Sequence, residues 1–105
     1  MYTTLSDNKN KQHYKKIVDD TLLIAEKRLE ERNIYPWNSI ENQLKDIQAM
    51  VIEQYSFSDW EEVYDRYTLG TLAVQEFPEG DEMQSRLCDI FWGAVHYQEL
   101  EEKEV

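Results

Sequence analysis

Carboxylates are the chemical groups that this chain has in excess, and in a helical protein they could bind a metal or transfer protons. The sequence has 22 Asp and Glu residues, two His and one Cys among its 105 residues. A carboxylate-bridged metal centre needs Glu-x-x-His pairs on two helices. However, Asn10 stands three residues before His13, and Gly93 stands three residues before His96. Because both histidines fail this spacing, we predict no metal site and no cofactor.

Catalytic motifs give no better support for an enzyme. The sequence lacks a glycine-rich phosphate loop, a His-Glu-x-x-His zinc motif and a Gly-x-Ser-x-Gly elbow. Cys88 lies between Leu87 and Ile90, which is typical of a buried, unreactive thiol, and as the single cysteine it has no disulfide partner in the chain. His96 could transfer protons, but a half-exposed histidine on an amphipathic helix is more often structural. The sequence therefore predicts a protein that is not an enzyme.

The carboxylates can instead form a charged surface, because they are unevenly distributed. Residues 1–50 carry eight acidic and eight basic side chains, whereas residues 51–105 carry fourteen acidic side chains against Arg66, Arg86 and Lys103, a balance of −11. The stretch 59–82 alone has eight acids against Arg66, a balance of −7. Such a charge repels nucleic acid and anionic membranes and attracts a basic protein. Simple solubility is an alternative interpretation of the same charge.

The elements that must carry these residues are helices. Apolar residues recur at three- and four-residue steps and predict a first helix from Lys11 to about Arg32. Asn38 and Glu41 form a potential capping pair for a second helix, which extends towards Tyr55. The predicted inward face of the first helix is formed by Tyr14, Ile17, Val18, Thr21, Leu22, Ala25 and Leu29.

Two further helices are predicted in the acidic half of the chain. Ser58 and Glu61 form a capping box for the third, and Asp81 caps the last, which continues to about Gln98. Gly70 either breaks the third helix or permits a close contact with a neighbouring helix. The predicted inward face of the third helix comprises Trp60, Val63, Tyr64 and Tyr67, followed by Leu69, Leu72, Ala73, Val74 and Phe77.

These elements predict an all-α protein, a small antiparallel bundle of four main helices with the third broken or closely packed near Gly70. We expect a polar, loose arm at residues 1–10, a single helical domain at 11–98 and an acidic tail at 99–105. The longest nonpolar run, residues 90–95, is too short to span a bilayer, and the N-terminus lacks the apolar stretch of a secretory signal. With its single cysteine, the chain is expected to be cytoplasmic.

Two stretches of the sequence form a recognisable pattern. One is Tyr-Thr-Leu-Gly-Thr-Leu-Ala-Val-Gln-Glu-Phe at 67–77, followed by the acidic turn at 79–82. The other places Tyr35 and Pro36 before a helix that carries Gln43, Leu44 and Ile47. Together they resemble a family of type VI secretion immunity proteins. The resemblance implies a small, helical, cytoplasmic protein that binds an NAD(P)+ glycohydrolase effector toxin and blocks its nucleotide-binding cleft. Such a protein protects the producing bacterium and its siblings.

The partner that the resemblance implies gives the acidic surface a purpose. A toxin that cleaves a dinucleotide must attract an anionic substrate, so we expect a basic cleft that an acidic surface can occlude. Another acidic interaction module, such as an adaptor or an inhibitor that mimics nucleic acid, is the alternative, and a homodimer is compatible with the sequence. The predicted partner-binding residues are Asp59, Glu62, Tyr64, Asp65, Tyr67, Glu76, Glu79, Asp81 and Glu82.

Overall fold

Five α-helices build the protein, as a computed structural model that describes residues 2–102 shows. No β-strand occurs within residues 2–102, so the all-α prediction is confirmed, although five helices stand where four main helices were predicted. In the same part of the chain, no helix is both long and apolar enough to cross a membrane. The helices are α1 (Lys11–Glu31), α2 (Trp37–Ile47), α3 (Trp60–Arg66), α4 (Leu69–Glu76) and α5 (Glu82–Val95).

Within residues 2–102, one π-helical segment and two 3-10 turns accompany the α-helices. A π-helical segment, Gln48–Glu53, continues α2, and 3-10 turns lie at Leu5–Asp7 and Tyr97–Glu99. The last of these turns follows the end of α5 at Val95, so α5 is shorter than the predicted helix to about Gln98.

The core is centred on α1, whose buried face matches the predicted periodicity. Six of the seven residues predicted to face inward are buried, and Leu29, near the end of the helix, is half-buried. The buried residues are Tyr14, Ile17, Val18, Thr21, Leu22 and Ala25. The Tyr14 hydroxyl donates a hydrogen bond to the Ile90 carbonyl of α5 at 2.7 Å. A Cβ atom on Gly93 would lie 2.4 Å from the Tyr14 ring. The close approach of α1 and α5 therefore depends on the absence of a side chain at position 93.

Side-chain caps explain where three of the helices begin. The Asn10 side chain accepts from the His13 N–H at 2.7 Å and starts α1 at the predicted residue. Asp81 caps α5 as predicted, accepting from the Met83 N–H at 2.7 Å. Asp59, rather than the predicted Ser58, caps α3 by accepting from the Glu62 N–H at 3.1 Å. A carboxylate is favoured here because its negative charge interacts with the positive end of the helix dipole.

The predicted cap of α2 is wrong. This helix begins at Trp37, one residue before Asn38, and follows Pro36. The Asn38 side chain accepts a hydrogen bond from the adjacent Ser39 N–H at 2.8 Å instead of capping a helix from outside. Proline suits the start of a helix because the N–H that it lacks would have no partner within the helix.

The third predicted helix is in fact two helices. α3 ends because Tyr67 is extended (φ −113°, ψ 142°), and α4 starts at Leu69. Gln43 of α2 spans the break, since its side chain accepts from the Thr68 N–H at 2.8 Å and donates to the Thr68 hydroxyl at 2.9 Å. These bonds satisfy a backbone group that helix interruption would leave without a partner. The break therefore lies at 67–68, just before Gly70.

Gly70 has the second predicted role, that of a close contact between helices. A Cβ atom at this position would lie 3.3 Å from the Phe91 ring of α5. Near the other end of α4, the Gln84 amide donates to the carbonyls of Ala73 and Phe77, both at 3.2 Å. Because the start of α4 meets the later part of α5 and its end meets the earlier part, the two helices run in opposite directions.

The two ends of the chain pack against the helices. Leu5 is buried, and the Tyr2 hydroxyl donates to the Asp89 carboxylate at 2.5 Å. The Lys11 N–H donates to the Glu101 carbonyl at 2.7 Å, which joins the start of α1 to the C-terminal segment. These contacts attach the N-terminal segment to the helices. The division into arm, domain and tail stays a prediction, and Met1 and residues 103–105 lie outside the described residues.

Candidate functional site

A groove of about 810 Å³ lies between α3 and the second half of α5. A cavity of this size is within the range that accommodates ligands or the side chains of a partner. Because α3 and α5 both contribute to its walls, their packing fixes its width. Its apolar lining comprises Tyr55, Trp60, Tyr64, Gly70, Phe91, Trp92 and Val95.

The aromatic side chains of the groove are exposed to a degree that is uncommon for such large apolar groups. Trp60 is 54% exposed, Tyr64 is 56% exposed and Trp92 is 43% exposed. The Tyr64 ring packs edge-on against Trp60, with centroids 6.3 Å apart, and against Phe91 at 5.5 Å. Contiguous exposed apolar surface of this kind is typical of interaction sites.

The prediction that Trp60 and Tyr64 lie on the inward face of the third helix is wrong. Among the four residues predicted to face inward in α3 and its end, only Val63 and Tyr67 are buried. The helix has only two turns, so the residues that reach the core form a narrow stripe. Val74 of α4 is likewise 69% exposed, contrary to its predicted inward position.

The rim of the groove is acidic. Asp59 and Glu99 belong to its lining, and among the described residues that line it there is neither Lys nor Arg. Glu99 lies 2.5 Å from the Nδ1 atom of His96, whose ring is 4.4 Å from that of Trp92. A nearby cation is Lys9, whose Nζ atom lies 5.6 Å from the centroid of the Trp92 ring. The groove therefore offers an apolar interior and negative edges.

Cys88 also lies on the groove and is exposed, so the prediction of a buried thiol is wrong. The buried face of α5 includes Leu87 and Ile90. Cys88 follows Leu87 by one residue, and a single step around an α-helix turns the side chain by about 100°. Although the side chain is exposed, partial desolvation by its neighbours is the main cause that raises the pKa of the thiol, and the charge of Asp89 adds to it. The neutral thiol is thereby favoured, the opposite of the shift that activates a nucleophilic cysteine.

Four of the nine predicted binding residues lie on or beside α3. Asp59, Glu62 and Asp65 are exposed acidic residues, and Tyr64 forms part of the groove wall. Tyr64 and Asp65 also line a second hollow of about 560 Å³, which includes the exposed Val74. Since Tyr64 borders both hollows, they form one continuous surface that extends from α3 onto α4.

Tyr67 has a structural role and is only 3% exposed. Its hydroxyl donates to the Asp46 carboxylate of α2 at 2.6 Å, and that carboxylate accepts two more hydrogen bonds from the Arg66 guanidinium, at 2.6 and 2.9 Å. The hydrogen bonds from Arg66 lower the pKa of Asp46, whereas burial is the main cause that raises the pKa of Tyr67. We name Gln43, Asp46, Arg66, Tyr67 and Thr68 together the polar lock.

The other four predicted binding residues lie around the turn between α4 and α5. Asp81 caps α5, and Glu82 accepts a hydrogen bond from the Arg86 Nε atom at 3.0 Å, so both are already used within the chain. Glu76 and Glu79 are exposed. Gly70, the residue of α4 that lines the groove, stands six residues before Glu76, which corresponds to roughly 9 Å along the helix at 1.5 Å per residue. The predicted site is thus divided between two places.

Some residues that form the groove were not among the predicted binding residues. The sequence pattern places Trp60 on the predicted inward face, and the predicted binding residues include neither Phe91 nor Trp92 of α5. The buried face of α5 includes Leu87, Ile90 and Ala94. Trp92 follows Ile90 by two residues, a rotation of about 200° around the helix, so its side chain points away from that face. That position was the signal in the sequence that could have identified it.

No group of three or more His, Cys, Asp or Glu residues is arranged to hold a metal ion within residues 2–102. The polar lock instead joins the two stretches that carry the family resemblance. Gln43 belongs to one stretch and binds Thr68, which belongs to the other. The positions that define the resemblance thus include contacts that position α3 and the groove.

Comparison with known proteins supports a single family. A family model described as Tsi6 matches residues 13–96, which is well over half of the chain. The match includes α2 to α5 in full, all but the first two residues of α1, and the aromatic lining of the groove. Neither a curated protein nor a solved structure matches the chain.

Proposed function

Because the chain belongs to the Tsi6 family, a family of type VI secretion immunity proteins, we propose that it binds and inhibits a cognate secreted toxin. The family match over residues 13–96 is the observation that carries this proposal. The exposed aromatic groove supports it, because large aromatic side chains commonly anchor protein interfaces.

The proposed toxin is an NAD(P)+ glycohydrolase, and inhibition is proposed to occur by occlusion of its active-site cleft. The chain carries a net charge of −11, and the acidic groups concentrate in the half that contains the groove. A cleft that binds a dinucleotide pyrophosphate must attract negative charge. An acidic surface can use that attraction to associate rapidly with the toxin and to exclude the substrate.

In this proposal the protein acts by binding alone, in the cytoplasm of the producing cell, where the dinucleotide is available to an invading toxin. The two groups nearest to catalytic chemistry are not arranged for it. The pKa of the Cys88 thiol is raised, and His96 is held by the neighbouring Glu99 on an open rim. Inhibition would then need only a stable complex with the toxin.

The test combines copurification with an enzyme assay. The chain, produced in its native host, is isolated at moderate salt, and the toxin domain encoded beside its gene is expected to remain bound. The purified toxin domain should consume NAD+ or NADP+, and an equimolar amount of this protein should abolish that activity. Absence of a complex would overturn the immunity proposal. A toxin that is inhibited but consumes another anionic substrate would overturn the NAD(P)+ assignment alone.

A further inference from the structure

We propose that the groove between α3 and α5 is the docking site for a basic segment of the toxin, which inserts an aromatic or large aliphatic side chain. Lysine or arginine residues beside that side chain would meet Asp59 and Glu99 on the rim. The inference rests on the proposed immunity function and deepens it, because it assigns the anchoring contacts to one surface. It also places the centre of the interface in the groove rather than at the acidic turn between α4 and α5.

The groove is preorganised for such an insertion. Tyr64 is held between Trp60 and Phe91 by edge-on contacts, and Phe91 in turn packs on Gly70 of α4. Rigid aromatic walls lose little conformational freedom when a partner binds, so more of the contact energy contributes to affinity. Exposed Trp and Tyr side chains are also the residue types that dominate binding energy in protein interfaces.

The charges identify the partner as basic. Asp59 and Glu99 border the groove, Asp65 borders the adjoining hollow, and neither hollow has Lys or Arg in its lining among the described residues. Glu99 already has a hydrogen-bonding partner in His96, but an occupant without positive charge would leave Asp59 and Asp65 partly desolvated and without a cationic partner. Complementary Lys or Arg side chains would instead form interactions at the edge that favour association.

A second copy of this chain is a poor occupant for the same reason. A symmetric dimer through the groove would bring the same acidic rim, with Asp59 and Glu99, into one interface from both copies. Each copy also carries a net charge of −11, and like charges across an interface disfavour association. The charge complementarity therefore favours the toxin.

The acidic turn lacks the features of an anchor. Asp81 caps α5, and Glu82 accepts a hydrogen bond from Arg86. The rim carboxylates have comparable contacts, since Asp59 caps α3 and Glu99 bonds His96. The two places therefore differ in their exposed aromatic side chains rather than in their carboxylates. Phe77 beside the turn is turned inward, and its ring packs edge-on against Trp37 at 5.6 Å. Charged groups at the edge of an interface mainly affect the association rate. The turn would therefore assist the approach of the toxin without holding it.

The experiment measures the affinity of three variants for the purified toxin domain encoded beside the gene. Trp60→Ala and Tyr64→Ala are each expected to weaken binding about 30-fold or more, as at interface hot spots. Leu23→Ala is the matched control, since Leu23 is 64% exposed on α1 and does not line the groove. This control should change the affinity by no more than about twofold, and circular dichroism should show that all three variants keep the helical fold.

The three tryptophans provide a second readout by nuclear magnetic resonance. The indole N–H signals of Trp60 and Trp92 are expected to shift when unlabelled toxin domain is added. The signal of Trp37, which packs on Phe77 outside the groove, serves as the internal reference and should change much less. This pattern would place the toxin on the groove in the wild-type protein, without any substitution.

The outcomes separate the two proposals. If the wild-type protein does not bind the toxin, the proposed function fails and the inference fails with it. If the wild type binds and inhibits while Trp60→Ala and Tyr64→Ala keep full affinity, the groove assignment is overturned and the immunity function stands. Shifts of the Trp60 and Trp92 signals on dilution of the free protein would assign the groove to a second copy and would also overturn the inference.

Discussion

The groove and the polar lock both involve the short helix α3, the groove through Tyr64 within the helix and the lock through Arg66 in its last turn and Tyr67 just after its end. Tyr64 is 56% exposed in the groove wall, whereas Tyr67, three residues later, is 3% exposed and bonded to Asp46. The groove presents large apolar rings to solvent. In the lock, Gln43, Asp46 and Arg66 are joined to other lock residues by hydrogen bonds.

This difference indicates how a small protein separates stability from recognition. Exposed Trp and Tyr side chains contribute little to folding, but they are available to a partner. The hydrogen bonds of the lock connect α2 to the break between α3 and α4, so they hold α3 in a fixed position. The lock thus supports the surface that the groove presents.

The largest expected effect is the difference in the free energy of unfolding between a variant of Tyr67 and a variant of Tyr64. Tyr67→Ala should lower the free energy of unfolding by about 3 kcal/mol, because it leaves a cavity and removes the hydrogen bond to Asp46. Tyr64→Ala should lower it by less than about 1 kcal/mol, as is usual at exposed positions. Urea denaturation followed by circular dichroism measures both values. Equal losses would contradict the division of roles between groove and lock.

A smaller effect is expected from charge reversal. Glu62→Lys with Asp65→Lys changes the charge beside the groove, and Glu76→Lys with Glu79→Lys makes the same change near the turn between α4 and α5. The first pair should slow association with the toxin about tenfold and reduce the salt dependence of the association rate. The second pair should slow association only about twofold to threefold. Stopped-flow kinetics at low and moderate salt compare them. Equal slowing would show that net charge matters and position does not.

The smallest effect concerns the acid stability of the lock. Hydrogen bonds from Arg66 lower the pKa of Asp46 from its usual 3.8. The ionised carboxylate therefore stabilises the fold above about pH 4, and this contribution is lost as the pH falls through the lower folded-state pKa. Asp46→Asn should make the melting temperature less sensitive to pH below about 4. Asp65→Asn, at an exposed position on α3, is the control and should keep the wild-type pH dependence.

Local patterns in the sequence were sufficient to predict much of the fold. The repeated apolar face of α1 and the cap at Asp81 depend on residues close in sequence, and both predictions were confirmed. The break between α3 and α4 was harder to locate, because Gln43 stabilises Thr68 from a position 25 residues earlier in the chain. Such a contact leaves no local periodicity.

The candidate site was predictable only in part for a related reason. Composition identified the acidic stretch, but it could not show that Asp81 and Glu82 already interact within the chain. In α3, two turns contain so few apolar positions that Trp60 and Tyr64 fitted a buried face as well as Val63 did. Only the packing against α5 distinguishes the residues that fill the core from those that remain exposed.

The most direct test of the docking surface uses Cys88, the single cysteine of the chain, which lines the groove. The protein is treated with N-ethylmaleimide alone and with a saturating amount of toxin domain, and the mass of the intact chain is followed over time. If the toxin occupies the groove, alkylation of Cys88 should be at least about tenfold slower in the complex, because the reagent cannot reach the covered thiol. An unchanged alkylation rate in a complex that still forms would contradict the account.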